Sequence, residues 1–315
     1  MSYSLNKLYR AVGTSKQSVH QAKQRQFAFD KELEELVKLA DQIKKVHPGC
    51  GVEKMYYTLK PEFMGRDKFC EIFISLGYGV NPERNHRRTT IRGVISYPNL
   101  IEGMQITRPY QVLQSDITYF YLHERFYYLI FIVDVYTRII LGYRVSDHMR
   151  KEANLKALQM VLKSTGADLR DSIHHSDRGA QYSSLTYTGE LRKNGMHISM
   201  GEYATDNAYA ERVNGTIKNE YLKKWEIRSF NDLKRKTKNA VDHYNQSRKH
   251  RAFKMEHSPN EFKENLLTLN AQDRPKVIIY TEGRKNFQGA SSPLEVCPRK
   301  EPQAHNCPWD YKMNV

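Results

Sequence analysis

Between Val112 and Val145 three β-rich runs follow one another closely, and no other stretch constrains the fold as much. Val112 to Tyr121 alternates and is rich in β-formers, and Phe126 to Val135 and Ile139 to Val145 continue the pattern. His123, Glu124 and Arg125 turn the chain between the first two runs. Strands this close in sequence pair as an antiparallel meander. Helix and strand signals then alternate. A helix is expected over Asn154 to Leu162, a strand over Ser172 to His175, and a helix over Leu185 to Lys193. A strand over His197 to Met200 and a helix over Asn207 to Lys223 complete the series. That order predicts an α/β layered fold.

The region before the meander has a different texture. Residues 1–28 read as a helical lead-in rich in Lys, Arg and Gln. From Phe29 to Val46 apolar residues recur at helical spacing (Leu33, Leu36, Val37, Ala40, Ile43), and His47, Pro48 and Gly49 end the run. Further helices are expected over Val52 to Leu59 and Arg66 to Leu76. Three short helices with tight turns suit a helix-turn-helix unit over residues 29–92, and equally a small structural bundle. Arg66 and Lys68 on the last helix, and Arg87 and Arg88 in the acid-poor tract NPERNHRRTTIR, are candidate DNA contacts. Residues 93–107 form an irregular connector.

Charge points the same way. The chain of 315 residues holds 50 Lys and Arg against 35 Asp and Glu, a formal net charge of +15, which favours a polyanionic partner. From Arg212 to Lys254 the count is 13 basic to 4 acidic residues, with Tyr221, Trp225, Phe230, Tyr244 and Phe253 interleaved. Residues 226–265 therefore read as a basic helical extension tracking a nucleic-acid backbone, with Arg248 and His250 as candidate phosphate contacts. Residues 266–315 read as a tail with one short strand, Val277 to Tyr280. Four cysteines form no paired spacing, and Cys297, His305 and Cys307 read as incidental. The first residues lack an apolar core of signal-peptide length, and the most apolar run, Tyr127 to Val133, is strand-length. A cytoplasmic, nucleoid-associated protein without a membrane span is the expectation.

Three carboxylates carry the chemical reading. Asp116 lies inside the first strand, where an acid is costly unless a cation compensates it. Asp177 follows a short strand at HHSDRGAQY, at an edge that faces a cleft in α/β sheets. Glu211 shares a helical face with Asn214 and Lys218. Such a set can bind two hard cations that stabilise the attacking and leaving oxygens of a displacement at phosphorus. Asp134 and Asp206 are rivals, the first better read as a turn-holding residue and the second as a helix N-cap.

The segments QSDITY, IVDVYTRIILGYRVS, HSDRGAQY, SMGEYATDNAYAERVNGTIKNEYL, and HYNQSRKHRAF with HSPNEF resemble successive motifs of the IS3-family insertion-sequence transposases, of the retroviral-integrase-like DDE superfamily. The resemblance covers roughly residues 1–265. It implies an RNase H-like catalytic core over residues 108–225, preceded by a small all-α helix-turn-helix region. It implies Asp116, Asp177 and Glu211 as the catalytic, metal-binding triad, Mg²⁺ as cofactor in two ions with Mn²⁺ as substitute, and Asn214 and Lys218 at the DNA. The implied reaction is strand cleavage and strand transfer at the element's terminal inverted repeats and a target DNA, by a multimer. It also implies an upstream-frame partner or fusion. Leu113 stands where the family often has Trp, and the interval from Asp177 to Glu211 is shorter than usual at GEYAT. The competing readings are a regulatory DNA-binding protein needing that partner and an RNase H-type nuclease.

Overall fold

The computed structural model describes residue 9 and residues 11–80, 95–201 and 204–279. Its five-stranded sheet is built from β2 (Val112–Leu122), β3 (Arg125–Asp134), β4 (Ile140–Ser146), β5 (Ile173–Ser176) and β6 (His197–Met200), in the order β4-β3-β2-β5-β6. The meander is antiparallel, and β5 and β6 add in parallel to β2. This is the RNase H-like arrangement. The β2–β3 hairpin turns on His123 and Glu124, both at positive φ (48° and 58°), so the turn matches the twist of its strands. Strands β2, β4, β5 and β6 all run the same way and end on one edge of the sheet.

Both faces of the sheet are covered, which is why β3 reads as a nearly unbroken apolar run. Leu129, Phe131 and Val133 pack under α6 (Ala208–Thr216), the turn that follows it, and α7 (Phe230–Gln246). Ile130 and Ile132 pack on the other side against α4 (Lys151–Ser164) and α5 (Leu185–Lys193). The helix expected over Asn207 to Lys223 is three pieces: a 3₁₀ turn Ala204–Asn207, then α6, then a π-helical turn Ile217–Leu222. The widened turn buries Ile217, Tyr221 and Leu222 together.

At the N-terminal side, α1 (Lys16–Val46) is one helix of 31 residues. The lead-in is therefore continuous with the first helix of the bundle, because no Gly or Pro interrupts residues 16–46. With α2 (Val52–Leu59) and α3 (Arg66–Ser75) it encloses its own core of Leu36, Ala40, Met55, Phe69 and Phe73. The connector, expected to be irregular, ends in β1 (Gln105–Ile106), which pairs with β7 (Val277–Ile278) beyond α8 (Pro259–Leu266). The cysteine and histidine set at residues 297–307 lies outside the described residues.

One carboxylate bolts the helical bundle to the core. Glu220, in the π turn, accepts two hydrogen bonds from the Arg248 guanidinium, both at 2.8 Å. It also accepts from His47 Nε2 at 2.7 Å and Lys54 Nζ at 2.6 Å. Its backbone carbonyl takes the Gly49 N–H at 2.7 Å. A Cβ at Gly49 would lie 2.3 Å from the Glu220 Cα, so only glycine lets the two backbones approach this closely. Burial would raise the Glu220 carboxyl, but the hydrogen bonds from Arg248 and His47 outweigh it and hold it far below the carboxylate range. Burial pushes His47 down to about 4 despite Glu220, so it donates as a neutral ring, stacked on Tyr221 at 4.5 Å.

Both groups make stability fall as the pH is lowered. Between histidine's ordinary 6.5 and about 4, the unfolded chain takes up a proton on His47 that the folded chain does not. Below the ordinary glutamate value of 4.5, the unfolded chain protonates Glu220 while the folded chain keeps it ionised. Urea melts of His47→Gln across the first window should show a pH slope shallower by up to one proton, about 1.4 kcal/mol per pH unit. An unchanged slope would place His47 outside this linkage.

Candidate active site

Asp116 stands mid-strand in β2, opposite Phe131 of β3, and so faces the helix α6 side of the sheet. Ser115 and Ser176 are register partners in the parallel β2–β5 pair, so Asp177, the next residue after β5, emerges beside Asp116. Glu211 lies in the first turn of α6, where the helix dipole favours an acid. The site is thus assembled at the common end of the parallel strands.

Neutral amides hold these elements together. Asn214 donates to Asp116 Oδ2 at 2.7 Å. Gln114, wholly buried, donates to the Asp206 carbonyl at 3.0 Å and accepts from the Tyr209 N–H at 3.1 Å. Asn207 donates to the Ser115 carbonyl at 2.9 Å. Helix α6 and the turn before it are therefore stitched to β2 at Asp116 and at the two residues before it. The sequence reading missed Gln114 and Asn207. Their only signal is an amide a few residues before the acid in each of two stretches, QSD and DNAYAE. On the Asp177 side, Gly179 N–H donates to Asp177 Oδ1 at 3.0 Å, and a Cβ at Gly179 would lie 2.9 Å from that oxygen.

The electrostatics single out the same group. Burial, then the charges of Asp177 and Glu211, push the Asp116 carboxyl up to about 7. Burial and Asp177 raise Glu211 in the same sense. The three carboxylates therefore sense one another, although among the described residues no three His, Cys, Asp or Glu side chains converge closely enough to form a metal-holding group. The donor set still fits a hard cation. The carboxylates repel, and the buried Asn214 Oδ1 and Asn207 Oδ1 have no hydrogen-bond partner.

The other expected residues divide. Lys218 is beside the site, its Nζ 5.3 Å from the Tyr119 ring centre, and burial lowers its ammonium. Arg66 and Lys68 are exposed on α3, the first paired with Asp67 at 2.8 Å and the second over the Phe29 ring at 4.1 Å. Arg87 and Arg88 lie outside the described residues. Arg248 is corrected: it is buried and its guanidinium is committed to Glu220, so it has no surface to offer a phosphate. His250 is half-buried and its Nδ1 accepts the Ala252 N–H at the start of a 3₁₀ turn, a capping role. Of the rivals, Asp134 is fully buried and accepts from Tyr110, Tyr136 and Thr137 N–H groups and the Thr137 hydroxyl, the turn-holding role expected. Asp206 lies inside the 3₁₀ turn, and Asn207 takes the N-cap position instead.

These two kinds of acid should respond oppositely to neutralisation. Asp134→Ala leaves four donors unanswered and should cost about 3 kcal/mol or more in a denaturant melt. Asp177→Asn relieves like-charge repulsion and should leave stability unchanged or raised. A large loss in Asp177→Asn would make that residue structural.

Two models of the integrase core domain match the chain, over residues 106–205 and 194–256. A putative transposase for insertion sequence element IS986/IS6110 of Mycobacterium tuberculosis (strain CDC 1551 / Oshkosh) is 31% identical over 228 residues, 67% of this chain and 81% of that protein. The transposase for insertion sequence element IS629 of Shigella sonnei is 32% identical over 222 residues, 68% of this chain and 73% of that protein. Among solved structures, the HTLV-2 integrase catalytic core domain in complex with magnesium is 16% identical, with a TM-score of 0.36. It covers 50% of this chain and 99% of that one, a likeness too slight to carry function. The sheet order, the two integrase-core matches and the two relatives agree: the chain belongs to the insertion-sequence transposases of the integrase-core, or DDE, superfamily.

Proposed function

We propose that this transposase cuts and joins DNA strands at Asp116, Asp177 and Glu211, with duplex DNA as substrate and the ends of an insertion sequence as the sites of reaction. The observation that carries the reading is that Asp116 within β2, Asp177 directly after the neighbouring β5 and Glu211 in the first turn of α6 come near one another, near enough for the Asp177 charge to raise both of the others. Carboxylates held together against their repulsion, beside unpartnered amide oxygens, are a site prepared for cations. The three acids would hold Mg²⁺, two ions with Mn²⁺ as substitute, which when bound neutralises charge at phosphorus and on the attacking and leaving oxygens.

The chain's own residues position and exclude. Asn214 fixes the Asp116 carboxylate through one oxygen. Lys218, half-buried against Tyr119, places a cation near Asp116 where a substrate phosphate can lie. Water attacks the phosphodiester at the element's end, the P–O3′ bond breaks, and the departing 3′ oxygen takes a proton. That 3′-hydroxyl then attacks a second phosphodiester, and its P–O3′ bond breaks in turn. No nucleophile from the protein is needed, and catalysis is positioning and charge stabilisation. The helical bundle supplies sequence-independent hold or end recognition through α3, and joining two ends calls for more than one copy on the DNA.

Among the described residues no helix is long and apolar enough to cross a membrane. On a labelled duplex bearing the element's end with Mg²⁺, Asp116→Asn, Asp177→Asn and Glu211→Gln should each lose joining by about 10³-fold or more, with DNA binding retained. Joining that survives any one change removes that residue from the site.

A further inference from the structure

A second cavity opens on the same edge of the sheet, at the end of its outermost strand. It encloses about 280 Å³ and is lined by Arg144 of β4, His148, Arg150 and Lys156 of α4 and its lead-in, and Phe230 and Lys234 of α7. Four of these are Lys or Arg, and only Asp147 and Glu152 oppose them. None of the four is in an ion pair with a described residue. Lys234 holds its ammonium 3.9 Å over the Phe230 ring. Unpaired cations gathered in one concavity repel, which disfavours the arrangement unless an anion answers them. Arg150 stands at the N-cap of α4 without a side-chain cap, so the first-turn N–H groups of that 14-residue helix add positive potential.

The cavity's position relative to the carboxylates decides what that anion is. Because β4 runs parallel to β2 and β5, Arg144 to Ser146 end on the edge where Asp177 follows β5. Residues of β4 and β2 are two strand spacings apart, roughly 10 Å. Gln181, in the loop after Asp177, donates to the Met149 carbonyl at 3.2 Å, so the segment that carries His148 and Arg150 is tied to the loop that follows Asp177. The space is ample for a phosphate group, and its four cations, not its size, select an anion.

We propose that this cavity binds a backbone phosphate of the duplex undergoing cleavage or joining, a sequence-independent interaction that orients the duplex across the carboxylates. The proposal rests on DNA being the substrate, and makes Arg144, Arg150, Lys156 and Lys234 positioning residues.

The test is equilibrium binding of the full chain to a mixed-sequence duplex, by fluorescence anisotropy across a salt series without divalent metal. Arg144→Glu with Lys234→Glu should weaken binding about tenfold at low salt and make the log–log salt slope shallower by about 0.9 for each phosphate no longer neutralised. Arg144→Lys with Lys234→Arg should keep the wild-type slope, which separates charge from folding. Lys163→Glu with Lys193→Glu makes the same change of net charge on the exposed ends of α4 and α5 and should leave the slope as in wild type. An unchanged slope in the first pair overturns the proposal, as does an equal change in the distant pair. Strand joining is measured separately on the wild type. A chain that binds with the expected slope change yet joins nothing would overturn the transposition chemistry at the carboxylates and leave the phosphate site standing.

Discussion

Carboxylates that repel must be held in place by groups other than themselves, and the catalytic half of this structure is arranged around that constraint. The burial and mutual charge that lift Asp116 to about 7 would also drive β2, β5 and α6 apart. Gln114, Asn207 and Asn214 oppose this with hydrogen bonds from neutral amides to backbone and carboxylate. Such bonds have a defined length and direction, and those of Gln114 and Asn207 to backbone carbonyls join groups that do not titrate. They fix where α6 lies on the sheet, and so where Glu211 lies relative to Asp116.

The same helix is anchored a second time further along. The π turn rotates Glu220 into a nest of Arg248, His47 and Lys54, and the helical bundle is thereby fixed to the core by residues from three separate parts of the chain. A buried carboxylate with one bidentate partner and two further donors is costly to assemble and costlier to leave incomplete. Its partners therefore specify one arrangement of bundle and core. One continuous helical element carries a metal-site candidate at its start and the anchor of the DNA-binding candidate module at its end.

Much of this was legible in the sequence, for reasons that differ by element. The meander, β6, α2 and α5 were readable because their signals are local: alternation, helical period, turn residues and breakers. Asp116 stood out because a charged residue inside an apolar strand violates the local pattern, Asp177 and Glu211 through their placement after a strand and on a helical face and through their flanking motifs, and Asp134 was separable because its turn explains it. Arg248 was misjudged because composition assigns basic residues to the surface, whereas a bidentate carboxylate partner can bury a guanidinium.

The order and type of the elements, the family, and the acids that are out of place all follow from the string of residues. Those are short-range properties, carried by neighbours within a few positions. It took the folded chain to show that Glu220 and Arg248 serve the fold and that Gln114 and Asn207 hold the site. The same is true of the four cations from β4, α4 and α7 that meet in one cavity. Each of these depends on residues far apart in sequence meeting at close range, and on burial that reverses the ordinary preference of a charged side chain for water.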